Sequence, residues 1–357
     1  MPIKLNREDF LRRMEIVQPG LTPTEVVDQS NCLVFKKGKV YTYNDEVACI
    51  TKSKLPTSVT AAVSAGPIFA MLSKYKEEYI QIRLTKSRMY IQGKGRESWI
   101  ALDQEITLGI DNVDLPDKDN WQKINPEFTE AVALVQECAS KKEDESFALT
   151  CINIHPKWIE AGDNDQITRY RLKTGLKKSV CIKRNALKHI IPFAPTEMAV
   201  TKTWLHFRNA DVSMSCRLWY EQYPNWSPYF DIEGKKTALP KGLVEACDKA
   251  KYFSQQNEHD WVKITIRPNG KLWLEADGVS GGHREKKKLN YSGKKLIFFI
   301  GPTLLSEIVK KHNECILSKT AMMIDGGKWK FVASLELSDG KQREEGSNAG
   351  GSTDEGD

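Results

Sequence analysis

The chain has 357 residues, of which 40% are hydrophobic and 28% charged, and a formal net charge of +6. That length exceeds what one hydrophobic core usually supports, so two or three domains are expected. No apolar run approaches the roughly eighteen residues of a membrane span, and the opening MPIKLNREDF lacks the apolar core of a signal peptide, which predicts an intracellular, cytoplasmic protein.

Eight cysteines stand singly at 32, 49, 138, 151, 181, 216, 247 and 315 with no C-x-x-C pair. Neither a zinc site nor a disulfide framework is implied, and reduced, mostly buried thiols are expected. From Ser338 onward the sequence SDGKQREEGSNAGGSTDEGD has the composition of a disordered tail. It holds two basic and six acidic residues, which leaves +10 on residues 1–337. A body that basic suggests a polyanionic partner, nucleic acid before anything else.

In chain order, NREDFLRRMEIV (6–17) predicts a helix capped by Asn6 with Phe10, Met14 and Val17 on one face. NCLVFKKGKVYTY follows as a hairpin, then AGPIFAMLSKYKEE (65–78) as a helix and EYIQIRLTKSRMYIQG as a second hairpin. The order then recurs. INPEFTEAVALVQECASKK (124–142), with Asn125 as cap and Phe128, Val132 and Val135 facing inward, leads into strands, and KRNALKHIIPF (183–193) into KTWLHFRNADVSMSCRLWY. A third round has KGLVEACDKAKYF (241–253), DWVKITIRPNGKLWLEA and GPTLLSEIVKKH (301–312), where proline sits suitably at the first helical position.

Two landmarks give the same period. The strand-and-turn segments GKVYTYND, KWIEAGDN and KLWLEADG place Asp45, Asp163 and Asp277 118 and 114 residues apart. Ile68, Leu187 and Leu304 occupy one helical position at spacings of 119 and 117. The chain is therefore a threefold repeat, each unit two helices with two sets of antiparallel strands. Each expected helix carries a basic cluster: Arg12 and Arg13; Lys74 and Lys76; Lys141 and Lys142; Lys183, Arg184 and Lys188; Lys249 and Lys251; Lys310 and Lys311. One such cluster is ordinarily a solvated face or a favourable dipole contact. Six in the same structural role favour one positive surface made of helices.

This order and spacing, with GKVYTYNDEV (38–47), EQYPNWSPYF (221–230) and LIFFIGPTLLSEIVKKHNECILSKTAMMIDGGKWKFVASL (296–335), resembles the DNA polymerase sliding clamps of the bacterial beta type over about residues 1–335. The resemblance implies an α+β DNA clamp fold of three domains, 1–118, 119–236 and 237–337. It further implies a head-to-tail homodimer ring around double-stranded DNA, without sequence preference, and a non-enzymatic processivity role with no cofactor. Polymerase and clamp loader would bind by a short peptide at a pocket whose walls are expected at Leu172, Leu239, Pro240, Val244, Val332 and Leu335. Ordinary packing is the competing role for those six. The family's T-D-G-H-R-L segment is replaced here by Gly162-Asp163-Asn164-Asp165-Gln166-Ile167, and its M-P-M-R-L ending is absent. A divergent, phage-like clamp with its own polymerase peptide would account for these departures.

Two other classes compete. An enzyme has little support, because no H-E-x-x-H, G-x-S-x-G or P-loop pattern occurs, and no catalytic or metal-ligating residue is assigned. Asp163-Asn164-Asp165 suits a turn better than a metal site, and GVSGGH a loop between strands better than a phosphate cradle. An open nucleic-acid binder would use the tryptophans, among them Trp99, Trp204, Trp219, Trp226, Trp261, Trp273 and Trp329, as stacking platforms. Their apolar neighbours within strands favour burial instead.

Overall fold

A computed structural model describes residues 2–141, 146–220, 222–257 and 260–337; the acidic segment from 338 lies outside them. One order of elements recurs three times: strand, helix, four strands, helix, three strands. The first round is Ile3–Asn6, α1 (Arg7–Ile16), Cys32–Lys36, Lys39–Tyr43, Val47–Lys52, Ala61–Ser64, α2 (Ala65–Lys74), Tyr79–Leu84, Arg88–Gly93 and Arg96–Asp103. In the second, α3 (Phe128–Val135) occupies the place of α1, while two single turns, α4 (Arg184–Leu187) and α5 (Ile190–Phe193), occupy that of α2. The third carries α6 (Leu243–Ser254) and α7 (Pro302–Lys311). Strands pair antiparallel throughout the described residues, for example Ile3 with Ile82 and Val262 with Ile300.

The helices follow their apolar stripes. Phe10 and Met14 of α1, Ile68 and Leu72 of α2, Phe128, Val132 and Val135 of α3, and Leu304, Leu305, Ile308 and Val309 of α7 are all buried, as the periodicity predicts. Asn6 caps α1 by accepting the Asp9 amide at 3.0 Å. Two helices are shorter than expected. α3 ends at Val135 and tightens into a 3-10 turn, Gln136–Cys138, because Arg184 Nε takes the Gln136 carbonyl at 2.8 Å and Ser140 N turns away to Leu149 O. The run 183–193 breaks in two where Pro192 has no amide to offer the Lys188 carbonyl.

The chain forms two compact units, residues 1–231 with 325–332, and residues 232–324 with the segment from 333. In the first unit a twelve-stranded sheet joins the first two rounds through Val47–Lys52, which pairs with Val212–Arg217 in the register Val47 to Cys216 and Thr51 to Val212. Trp204 is fully buried over this join, packed with Val34, Tyr43, Ala48 and Val113. Arg217 lies 4.8 Å from the Trp204 ring and pairs with Asp45, whose φ of +72° closes the preceding hairpin. Asn44 and Asp163 do equivalent work in successive rounds, each accepting two backbone amides across its turn. Seven of the eight cysteines are buried and all are free.

The segment after Arg217, part of EQYPNWSPYF, is fastened by Arg169. Its guanidinium pairs with buried Glu160 at 2.6 Å, lies 4.7 Å from the rings of both Trp158 and Phe230, and donates to Ser227 Oγ at 3.3 Å. Asn153 satisfies the other Glu160 oxygen at 2.9 Å. The second unit holds a five-stranded sheet in the order Gly281–Lys288, Lys271–Gly278, Val262–Arg267, Leu296–Ile300, Glu336–Leu337, with α6 packed on it and α7 beside α6.

Removing Arg169 alone leaves Glu160 buried and unpaired, so Arg169→Met is expected to cost about 3 kcal/mol in urea unfolding, with Glu160→Gln in the same chain recovering part of it. Buried His206 and half-buried Asp163 set opposing pH dependences. Burial pushes His206 down to about 4, and burial pushes Asp163 up to about 6 despite the amides of Asp165 and Gln166. The His206 contribution is complete above its ordinary 6.5 and is lost as pH falls toward 4; that of Asp163 is complete below its ordinary 3.8 and is lost as pH rises through 6. Each is worth roughly 3 kcal/mol, so they largely cancel between pH 7 and 4. Asp163→Asn uncovers the histidine, and urea midpoints for that variant are expected to fall steadily on acidification while the parent stays nearly level.

Candidate nucleic-acid interface

The predicted cations fall into three groups. Some are spent on internal contacts. Arg13 keeps only 11% of its side chain exposed and donates to Asp9 at 3.2 Å and to the Lys52 carbonyl. Burial raises the Asp9 carboxyl, but Arg13 and Arg12 outweigh it and hold the group below the usual carboxylate range. Arg184, 15% exposed, is committed to the Gln136 carbonyl and lies 4.0 Å from Glu137. Lys183 pairs with Glu46 and sits above the rings of Phe147 and Trp219 at 5.3 and 5.5 Å.

A second group reaches solvent with a carboxylate beside it. Arg12 contacts Asp9 at 3.3 Å, Lys249 contacts Glu285 at 3.2 Å, and Lys310 contacts Glu307 at 3.0 Å, which raises the Lys310 ammonium. Each pair keeps its cation available while weakening the local positive field, and exposed pairs of this kind contribute little to stability. The third group is exposed on or just past a helix: Lys74 and Lys76 at the end of α2, Lys141 beyond α3 and Lys311 on α7. Lys188 and Lys251 are half-buried, and Lys142 lies outside the described residues.

Lys141, Lys183 and Arg184 come together around one cleft of about 210 Å³, shared with Glu46, Phe147 and Asn185. Lys141 is not on a helix, contrary to the expectation from 124–142, because the chain has already turned at Ser140. The exposed helix faces also carry acids: Glu8 and Glu15 on α1, Glu130 on α3, Glu245 and Asp248 on α6, and Glu307 on α7. α3 itself, FTEAVALV, has no lysine or arginine. The outer surface of α2 is small and smooth, with Gly66, Pro67, Ala70 and Ser73 exposed ahead of Lys74. A helix surface of this sort offers phosphates a shallow, mixed potential and no base-reading side chains in a fixed fork.

Of the six expected pocket walls, Leu172, Leu239, Val332 and Leu335 are buried, whereas Pro240 and Val244 are half-buried. The tryptophans are mostly covered, Trp204 fully, but Trp99 is 58% exposed. It lies on Arg96–Asp103, whose residues 96–101 pair on one side only, with Arg88–Gly93, among the described residues. Sequence reasoning missed this exposed aromatic; the alternation in RESWIALD is its only local sign.

No family model matches the sequence, and no curated protein matches it. Solved structures do. The chain is similar to the DNA polymerase III subunit beta of Pseudomonas aeruginosa at 12% identity and a TM-score of 0.68, over 94% of this chain and 100% of that one. It is similar to the beta subunit from DNA polymerase of Streptococcus pyogenes at 14% identity and a TM-score of 0.70, over 94% and 100%. The DNA polymerase sliding clamp of Bacillus subtilis gives 12% identity and 0.70, over 94% and 99%. The chain has the fold of the bacterial DNA polymerase III beta sliding clamps.

Proposed function

We propose that the protein is a sliding clamp: a non-enzymatic homodimer ring, each chain contributing three domains (1–118, 119–236 and 237–337), that encircles duplex DNA and tethers a replicative polymerase. The observation that carries this reading is the threefold order of strands and helices, similar to the beta clamps over 94% of the chain. Enclosure supplies retention, so the contacts themselves can be weak. Arg12, Lys74, Lys76, Lys141, Lys188, Lys249, Lys251, Lys310 and Lys311 would meet phosphates, and neighbouring acids would keep each contact shallow enough for the ring to move. Arg13, Lys183 and Arg184 act mainly by shaping the helices that carry the others.

Two open strand edges suit closure by a second copy. Residues 96–101 leave one edge in the first unit, beside exposed Trp99, and Gly281–Lys288 is the edge of the five-stranded sheet in the second. Head-to-tail pairing of unlike edges closes a ring when the rotation closes, and an exposed aromatic on an open edge marks an interface. Polymerase and loader would bind through a short apolar peptide, for which Pro240 and Val244 are the accessible members of the expected pocket.

Lys74→Glu with Lys76→Glu is expected to weaken duplex binding at low salt and to reduce the slope of log affinity against log salt by about 1 to 2, with no change in thermal stability because both side chains are exposed. An unchanged slope would remove α2 from the DNA surface. In sedimentation velocity the parent is expected to run as two chains, and Trp99→Asp to shift that species toward one. A parent that is a single chain at every concentration would overturn the ring reading.

A further inference from the structure

The two faces of the five-stranded sheet differ in electrostatics. Toward α6, the strand Gly281–Lys288 presents Glu285, which gathers Lys287 at 2.6 Å, Lys249 at 3.2 Å and His283 at 3.3 Å. The Lys287 bond above all drives this carboxyl down to about 2, so charge on that side is compensated. On the opposite face the register sets Arg267 across from Lys271 and Lys271 across from Lys288, three cations in one row. The next row places Lys286 across from Trp273, and the row after it holds Glu275, paired with Arg284 at 2.8 Å.

Like charges directly opposite one another destabilise a sheet. Lysines on an edge strand often serve to discourage edge-to-edge association, but Lys271 and Arg267 lie on the second and third strands, where that purpose is absent. Among the described residues no ion pair is made by Arg267, Lys271, Lys286 or Lys288. Trp273 lies under Arg284, Lys286 and Arg267 at 4.4, 5.7 and 5.7 Å, and its indole N–H is screened from water with no acceptor among the described residues. Uncompensated cations around an unsatisfied donor suit a carboxylate-bearing ligand.

The chain supplies one. Its last described strand, Glu336–Leu337, pairs with Leu296–Ile297 on the far edge of this same sheet. Four inter-strand spacings, about 19 Å, separate that edge from Gly281–Lys288. The next 20 residues contain six acids against two bases, and could span up to about 66 Å if extended. We propose that the acidic segment 338–357 docks in cis across this cationic face and shields it from other polyanions. The inference concerns the sheet face away from α6 and stands whether or not the protein encircles DNA.

Zero-length carbodiimide cross-linking of the full chain tests it, using a mixture of isotopically labelled and unlabelled protein to separate links within a chain from links between chains. At low salt, about 50 mM, carboxylates of 338–357 are expected to link within one chain to Lys271, Lys286 or Lys288, and these links should fade at about 500 mM as screening shortens. Lys271→Gln with Lys288→Gln, both exposed, should abolish them. Links spread evenly over the lysines, concentrated on Lys249 or Lys310, or formed mainly between chains would overturn the proposal. So would a double variant that keeps its tail links but loses binding of a 20-nucleotide single strand by more than about tenfold, since the face would then serve nucleic acid.

Discussion

The antiparallel join between Val47–Lys52 and Val212–Arg217 is the interaction on which the first unit depends. Each repeat alone presents a sheet with a helix layer on one face, and its edge strand is a line of unpaired amides and carbonyls. Pairing one repeat's edge with the next converts that liability into a continuous sheet. Trp204, Tyr43 and Ala48 then pack over the join, and Arg217 ties the seam to the Asp45 turn. Among the described residues, 96–101 in the first unit and Gly281–Lys288 in the second keep one side unpaired, and these are the edges that the proposed ring would join.

Electrostatics follows from where the helices can place charge. Apolar stripes fix one side of each helix, and the remaining positions hold lysine, arginine, aspartate and glutamate together. Much of the excess positive charge resides instead on strands and loops, as in the run HREKKK of Gly281–Lys288. A mixed helix surface is poorly suited to tight or sequence-specific binding, and well suited to contacts made and broken while something else prevents escape.

How much the sequence disclosed depends on whether the deciding partner was local. The threefold order was legible because the apolar period and the turn residues lie within each segment, as with Phe10 and Met14 in α1 or Leu304 and Ile308 in α7. The end of α3 was not, because the group that takes the carbonyl of its capping residue Gln136, Arg184, lies 48 residues away. Lys183 and Arg184 read as free cations for the same reason: Glu46 and Gln136 reach them only through tertiary structure. Arg267, Lys271 and Lys288 carry no signal as separate residues, and become a row only once strand register is known. The expected pocket walls show the reverse limit, since leucines and valines look alike in sequence whether they line a groove or fill a core.

Electron microscopy of the purified protein bears most directly on the proposed closure of two copies of this chain around an empty centre. Closed two-chain particles with a central opening are expected. Compact particles without an opening, or open-ended filaments from unlike edges that pair without closing, would contradict it.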